Sequence, residues 1–177
     1  SQCLHVSTAI HLALQQHRAG NLQQAENIYR KVLDADPENA DANHFLGVIA
    51  YDIGKNDIAI QLIGKAIQID PNIPAAHNNL GNALKKLGRL DEAIISYKDA
   101  LSIKPDYAAA HNNLGNALMK LSRLDEAVIS YKAAFSIKPD YPEVYSNYGN
   151  ALYELGQLDK AIASFKKALS IKPDYAA

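Results

Sequence analysis

The stretch PAAHNNLGNALKKLGRLDEAIISYKDALSIKPDY, residues 74–107, decides the fold, because residues 108–141 repeat it nearly letter for letter as AAAHNNLGNALMKLSRLDEAVISYKAAFSIKPDY. Outward from this pair the period of 34 persists. Pro37, Pro71, Pro105, Pro139 and Pro173 keep it, and so do Ala25, Ala59, Ala93, Ala127 and Ala161. A fixed period of this length marks stacked units, each too small to bury its apolar face alone. Five frames result, 6–39, 40–73, 74–107, 108–141 and 142–175, with residues 1–5 as a leader and 176–177 as the start of a truncated further repeat.

Within a frame the apolar spacing is helical. Leu80, Leu84 and Leu87 form one stripe, and Ala93, Ile94, Tyr97, Ala100 and Leu101 form another, both in the three-and-four rhythm of a helix. Two helices of about 14 residues are expected, separated by Gly88 and Arg89. Asp91 and Glu92 fall in the first turn of the second helix, where negative charge complements the dipole. Pro105 ends that helix, since proline disfavours helix in the residue before it, and Asp106 is expected to cap the next one. Small residues mark the closest helix contacts: Gly47, Gly81, Gly115 and Gly149 in first helices, Ala66, Ala100, Ala134 and Ala168 in second helices.

This pattern resembles the tetratricopeptide repeat, whose signature sets aromatic, Leu-Gly, aromatic, Ala, aromatic and Pro at fixed offsets. The fifth frame carries Tyr145, Tyr148, Gly149, Leu152, Ala161, Phe165 and Pro173, and the fourth carries His111, Leu114, Gly115, Leu118, Ala127, Tyr131 and Pro139. In the first frame Ala13 replaces the glycine, and in the second Asn43 and Ala50 replace the aromatics. The resemblance implies an all-α, right-handed α-solenoid of five helical hairpins whose first helices line a concave face.

Composition narrows the function. The chain has 177 residues, 18 basic against 19 acidic, so it lacks the basic excess of a phosphate-binding surface, and nucleic acid is not an expected partner. No apolar run reaches the length of a membrane span, so no membrane association is expected either. Cys3 is the one cysteine; it can form neither an internal disulfide nor a thiolate metal site, and such sparse usage suits a reducing, cytoplasmic setting. No nucleophile with a base, phosphate loop or paired-carboxylate site is evident, so neither catalysis nor a cofactor is expected. His77 and His111 invite a metal reading. Equivalent residues of adjacent repeats stand roughly 10 Å apart, however, and a metal needs ligands near 2 Å, so they are expected to replace the signature aromatic.

The polar stripe of the first helices is the candidate site. It holds Asn78, Asn79, Asn82 and Lys86 in the third frame, Asn112, Asn113, Asn116 and Lys120 in the fourth, and Ser146, Asn147, Asn150 and Glu154 in the fifth. Stacking is expected to build two amide ladders, Asn79–Asn113–Asn147 and Asn82–Asn116–Asn150. An amide donates and accepts, so such a groove reads peptide backbone in either direction. It resembles the asparagine-lined repeats of O-linked N-acetylglucosamine transferase, which hold extended peptide. The resemblance carries to Asn79, Asn113 and Asn147 but lapses in the first two frames, where His11 and Phe45 stand instead. A carboxylate clamp is not supported, because Ala75 and Ala109 occupy places where basic residues would be needed.

The expected function is therefore a non-catalytic module that binds an extended protein segment. The rivals are a recognition arm of a larger enzyme such as a glycosyltransferase, and a homotypic scaffold. The apolar stripe Ala161, Ile162, Phe165, Ala168 and Leu169 in the last helix favours end-to-end self-association.

Overall fold

The computed structural model describes residues 2–173, with side chains from Val6 onward. It contains ten helices and, among the described residues, no strand: α1 (Gln2–Arg18), α2 (Leu22–Ala35), α3 (Ala40–Asp52), α4 (Asn56–Ile69), α5 (Pro74–Lys86), α6 (Leu90–Ile103), α7 (Ala108–Lys120), α8 (Leu124–Ile137), α9 (Pro142–Glu154) and α10 (Leu158–Ile171). Each frame supplies one pair. The first helix begins at Gln2, within the residues read as a leader. Tyr175 and residues 176–177 lie outside the described residues.

The chain divides into two compact units, Ser1–Leu87 and Gly88–Ala177, so the third frame gives α5 to unit 1 and α6 to unit 2. In unit 1, α1 packs on α2, α3 on α4, and each second helix on the next first helix. One core gathers Ile10, Tyr29, Val32, Leu46 and Ile49, and a second gathers Ala50, Ala59, Ile63, Ala76 and Ala83. Unit 2 follows the same scheme from α6 to α10, and its buried side chains include Tyr131, Leu118, Val144 and Leu152.

Helix ends follow local chemistry. Pro74 and Pro142 open α5 and α9, where a missing N–H costs nothing. Asn39 caps α3, its side chain accepting from the Ala42 N–H at 3.0 Å. Asp106 does not cap α7, contrary to expectation. Tyr107 is the N-cap residue there and makes no side-chain capping bond, and Asp106 sits one residue too early to be the cap. Lys104 instead lies over the Tyr107 ring at 5.5 Å, and Lys138 over Tyr141 at 4.9 Å.

Close approach explains the small residues. A Cβ added to Gly115 would lie 2.5 Å from Cε1 of Tyr131, and one on Gly149 would lie 2.6 Å from Cε1 of Phe165. In unit 1, a Cβ on Gly47 would lie 2.6 Å from Cγ1 of Ile63. Ala66, Ala100, Ala134 and Ala168 are all buried. Between the helices of the fourth hairpin the turn requires a left-handed residue, and Ser122 takes φ 55° where Gly156 has φ 73° in the fifth.

Candidate peptide-binding face

In unit 1 the candidate residues lie on α5 beside α3. Asn78 is buried, and its Nδ2 donates to Oδ1 of Asn79 at 3.4 Å. Asn79 in turn donates from Nδ2 to Nε2 of His44 at 3.0 Å. Burial lowers the His44 pKa to about 4, so the ring is neutral and its Nε2 lone pair accepts. Asn82 is half-buried and Lys86 exposed.

Unit 2 repeats the construction with different atoms. Asn147 on α9 donates from Nδ2 to Oδ1 of Asn112 on α7 at 3.0 Å, the same 35-residue step that joins Asn79 to His44. Asn112 is buried and donates onward to Oε1 of Glu143 at 3.3 Å. The rung in unit 2 therefore runs from Asn147 to Asn112 rather than between the identical positions Asn147 and Asn113. Equivalent residues of neighbouring helices project alike, so a bond between helices needs one partner from the side facing its neighbour. Asn116 accepts from the Tyr131 hydroxyl at 2.7 Å, which gives it a structural duty. Burial pushes the Tyr131 hydroxyl well above the usual phenol range.

The stripe thus separates into two layers. Asn78 and Asn112 are buried, Asn78 bonding its neighbour Asn79 within α5 and Asn112 joining α7 to α9. Asn113, Asn116 and Asn147 are half-buried, and Lys120, Asn150 and Glu154 are exposed. His44, Glu143 and Tyr153 escaped the reading of the sequence. His44 shares the frame position of Asn78 and Asn112, which was the available signal, and Glu143 shares that of Asp41. Tyr153, exposed beside Glu154, adds a large aromatic to the face of α9.

His77 and His111 each place Nε2 2.9 Å from a proline carbonyl, that of Pro71 and Pro105 respectively. A carbonyl accepts, so Nε2 carries the proton. Asn43 donates likewise to the Pro37 carbonyl at 3.2 Å. These polar residues thus hold the end of one frame against the start of the next, whereas Tyr145 at the same place stacks on Phe135 at 4.9 Å.

A TPR repeat family model matches residues 47–88, 81–122, 115–156 and 149–177, and a tetratricopeptide repeat model matches 16–65. No curated protein sequence matches the chain. Among solved structures, a crystal structure of MamA is 30% identical with a TM-score of 0.82, over 91% of this chain and 94% of that one. Pseudomonas aeruginosa PilF is 23% identical with a TM-score of 0.86, over 93% and 75%. YrrB, a TPR protein with an unusual peptide-binding site, is 23% identical with a TM-score of 0.77, over 94% and 86%. With family models matching from residue 16 to 177 and ten helices falling in five frames, the chain belongs to the tetratricopeptide repeat family, an all-α solenoid class of protein-interaction folds.

Proposed function

We propose that the chain is a non-catalytic module that binds an extended peptide segment along its first helices. The supporting observation is the layered polar face of unit 2. Buried Asn112 and the half-buried Asn147 hold α7 and α9 together, while Lys120, Asn150 and Glu154 remain open to solvent. Asn150 is the amide best placed to meet a ligand. Its counterpart Asn116 is engaged by the Tyr131 hydroxyl, but Phe165 stands at the place of Tyr131 in the fifth frame and has no hydroxyl to offer. In unit 1, Asn79, Asn82 and Lys86 belong to the same reading. The fold carries a peptide-binding site in YrrB. A cytoplasmic setting accompanies this reading and is checked by cell fractionation.

The test is selection of peptides on the immobilised chain, followed by titration of the selected sequences against variants. Asn150→Ala and the pair Lys120→Ala with Glu154→Ala should each weaken binding several-fold, as expected for hydrogen bonds of about 0.5 to 1.5 kcal/mol, with unchanged thermal melts. Equal affinity for all variants would move the site off this face. Self-association through α10 is a second reading, favoured by the exposed Leu158, Ile162 and Leu169.

A further inference from the structure

The second helices of unit 2 carry the same apolar stripe with different surroundings. In α6, Ile94 is 4% exposed. In α8, Phe135 stacks on Tyr145 at 4.9 Å and meets Tyr148 edge-on at 5.3 Å, both from α9. In α10 the corresponding side chains are open among the described residues: Leu158 is 53% exposed, Ile162 51% and Leu169 47%, with Phe165 half-buried. At about 100° per residue, these four fall within roughly 60° of one another on the helix, and none is charged.

We propose that this face of α10 packs against the same face of a second copy of the chain, as an antiparallel pair about a twofold axis. The proposal rests on the self-association reading and names its partner. The stripe is complementary to itself. With the axis between Ala163 and Ser164, Leu158 comes level with Leu169 of the second copy, and Ile162 comes level with Phe165. Each pairing occurs twice, as an isologous contact demands.

The flanking charges fit the same register. Asp159 and Lys166 project to one side of the stripe, about 100° and 80° round from Leu158. In an antiparallel pair those sides meet, which sets Asp159 about 3 Å along the axis from Lys166 of the second copy, and the reverse. Among the described residues, Asp159 and Lys166 make no ion pair within their own chain. Lys160 and Lys167 lie on the far side, about 180° to 200° round, outside the contact. A parallel pair brings opposite flanks together instead, so Asp159 and Lys166 of the two copies would not meet. Leu12 of α1 is a poorer partner, because it lines a cleft with Ile28 and the polar Gln16, Gln24 and Asn27. Four apolar side chains per copy make a small interface, so the dimer is weak and forms at high concentration.

Sedimentation equilibrium of the 177-residue chain, in a series reaching about 1 mM, should show a monomer–dimer equilibrium. Ile162→Glu should abolish it while circular dichroism and the melting curve stay as in the parent chain. Asp159→Lys should weaken the dimer about tenfold, and Asp159→Lys combined with Lys166→Asp should restore it. A monomer throughout the series, or a dimer indifferent to Ile162→Glu, would overturn both the self-association reading and this proposal. A dimer lost with Ile162→Glu but indifferent to the charge changes, or not restored by the double swap, would overturn the antiparallel register alone.

Discussion

The two units solve one problem with different atoms. Both tie neighbouring first helices through a bond spanning 35 residues, from Asn79 to His44 in unit 1 and from Asn147 to Asn112 in unit 2. The amide of Asn112 donates and accepts at any ordinary pH, whereas His44 accepts only while its ring is neutral. A second contrast lies one shell away. Tyr131 donates to Asn116, but the hydroxyl of Tyr29, at the same place in the first frame, is buried without a partner. Leu14 occupies the position that Asn116 holds, so no acceptor is offered there. Burial, reinforced by the charge of Asp41, pushes the Tyr29 hydroxyl up to about 12. Equivalent positions therefore share geometry without sharing chemistry, and single substitutions can exchange the two.

The largest expected effect breaks unit 2 while sparing unit 1. Gly115→Leu drives a side chain into the Tyr131 ring, which lies 2.5 Å from even a Cβ, and should cost about 3 kcal/mol or more. Urea unfolding followed by amide exchange should show protection lost mainly from α7 to α9, while exposed Lys132→Ala changes little.

Acid should weaken unit 1 selectively. His44 is neutral when folded, with a pKa of about 4 against an ordinary 6.5, so between those values the unfolded chain binds the extra proton. The stabilisation is complete above pH 6.5, is lost as pH falls toward 4, and loses nothing further below that. A shift of this size corresponds to about 3 kcal/mol. Urea midpoints of the His44→Asn variant should lose this part of the pH dependence, and Asn112→His should introduce a similar dip into unit 2. Identical pH profiles for the parent chain and His44→Asn would refute the account of the rung.

The tyrosine pair should respond with opposite signs. Tyr131→Phe removes a hydrogen bond and should cost about 0.5 to 1.5 kcal/mol, while Tyr29→Phe removes an unsatisfied hydroxyl and should stabilise by about 1 kcal/mol. Melting temperatures moving in the same direction would show that Asn116 is not the deciding partner. The smallest effect sharpens the turn comparison: Ser122→Gly should raise stability by about 1 kcal/mol, because glycine adopts φ 55° without steric cost. A calorimetric melt reads that gain.

Much of the fold was legible because each helical hairpin is local. The apolar rhythm of Leu80, Leu84 and Leu87, the small residue at each close helix contact and the proline at each frame end depend on neighbours within one repeat, so a single period reveals them. The capping role expected of Asp106 failed on a matter of one residue, since the helix start shifted the cap to Tyr107. The stripe of asparagines was legible as a surface but not as a network. Nothing in the letters Asn-Asn distinguishes Asn112, which is buried between helices, from Asn113, which is half-buried.

The sequence by itself determined the period, the helix pairs, the family and the polar identity of the first-helix stripe, because these follow from spacing along the chain. Only the tertiary structure decided which amide bonds which. A hydrogen bond between neighbouring helices depends on the stagger of their backbones, which shifts each partner by 35 residues rather than 34. The same packing decided that Asn116 serves Tyr131, that Asn150 remains exposed, and that Tyr29 keeps its hydroxyl unpaired, since an acceptor counts only when packing brings it within about 3 Å.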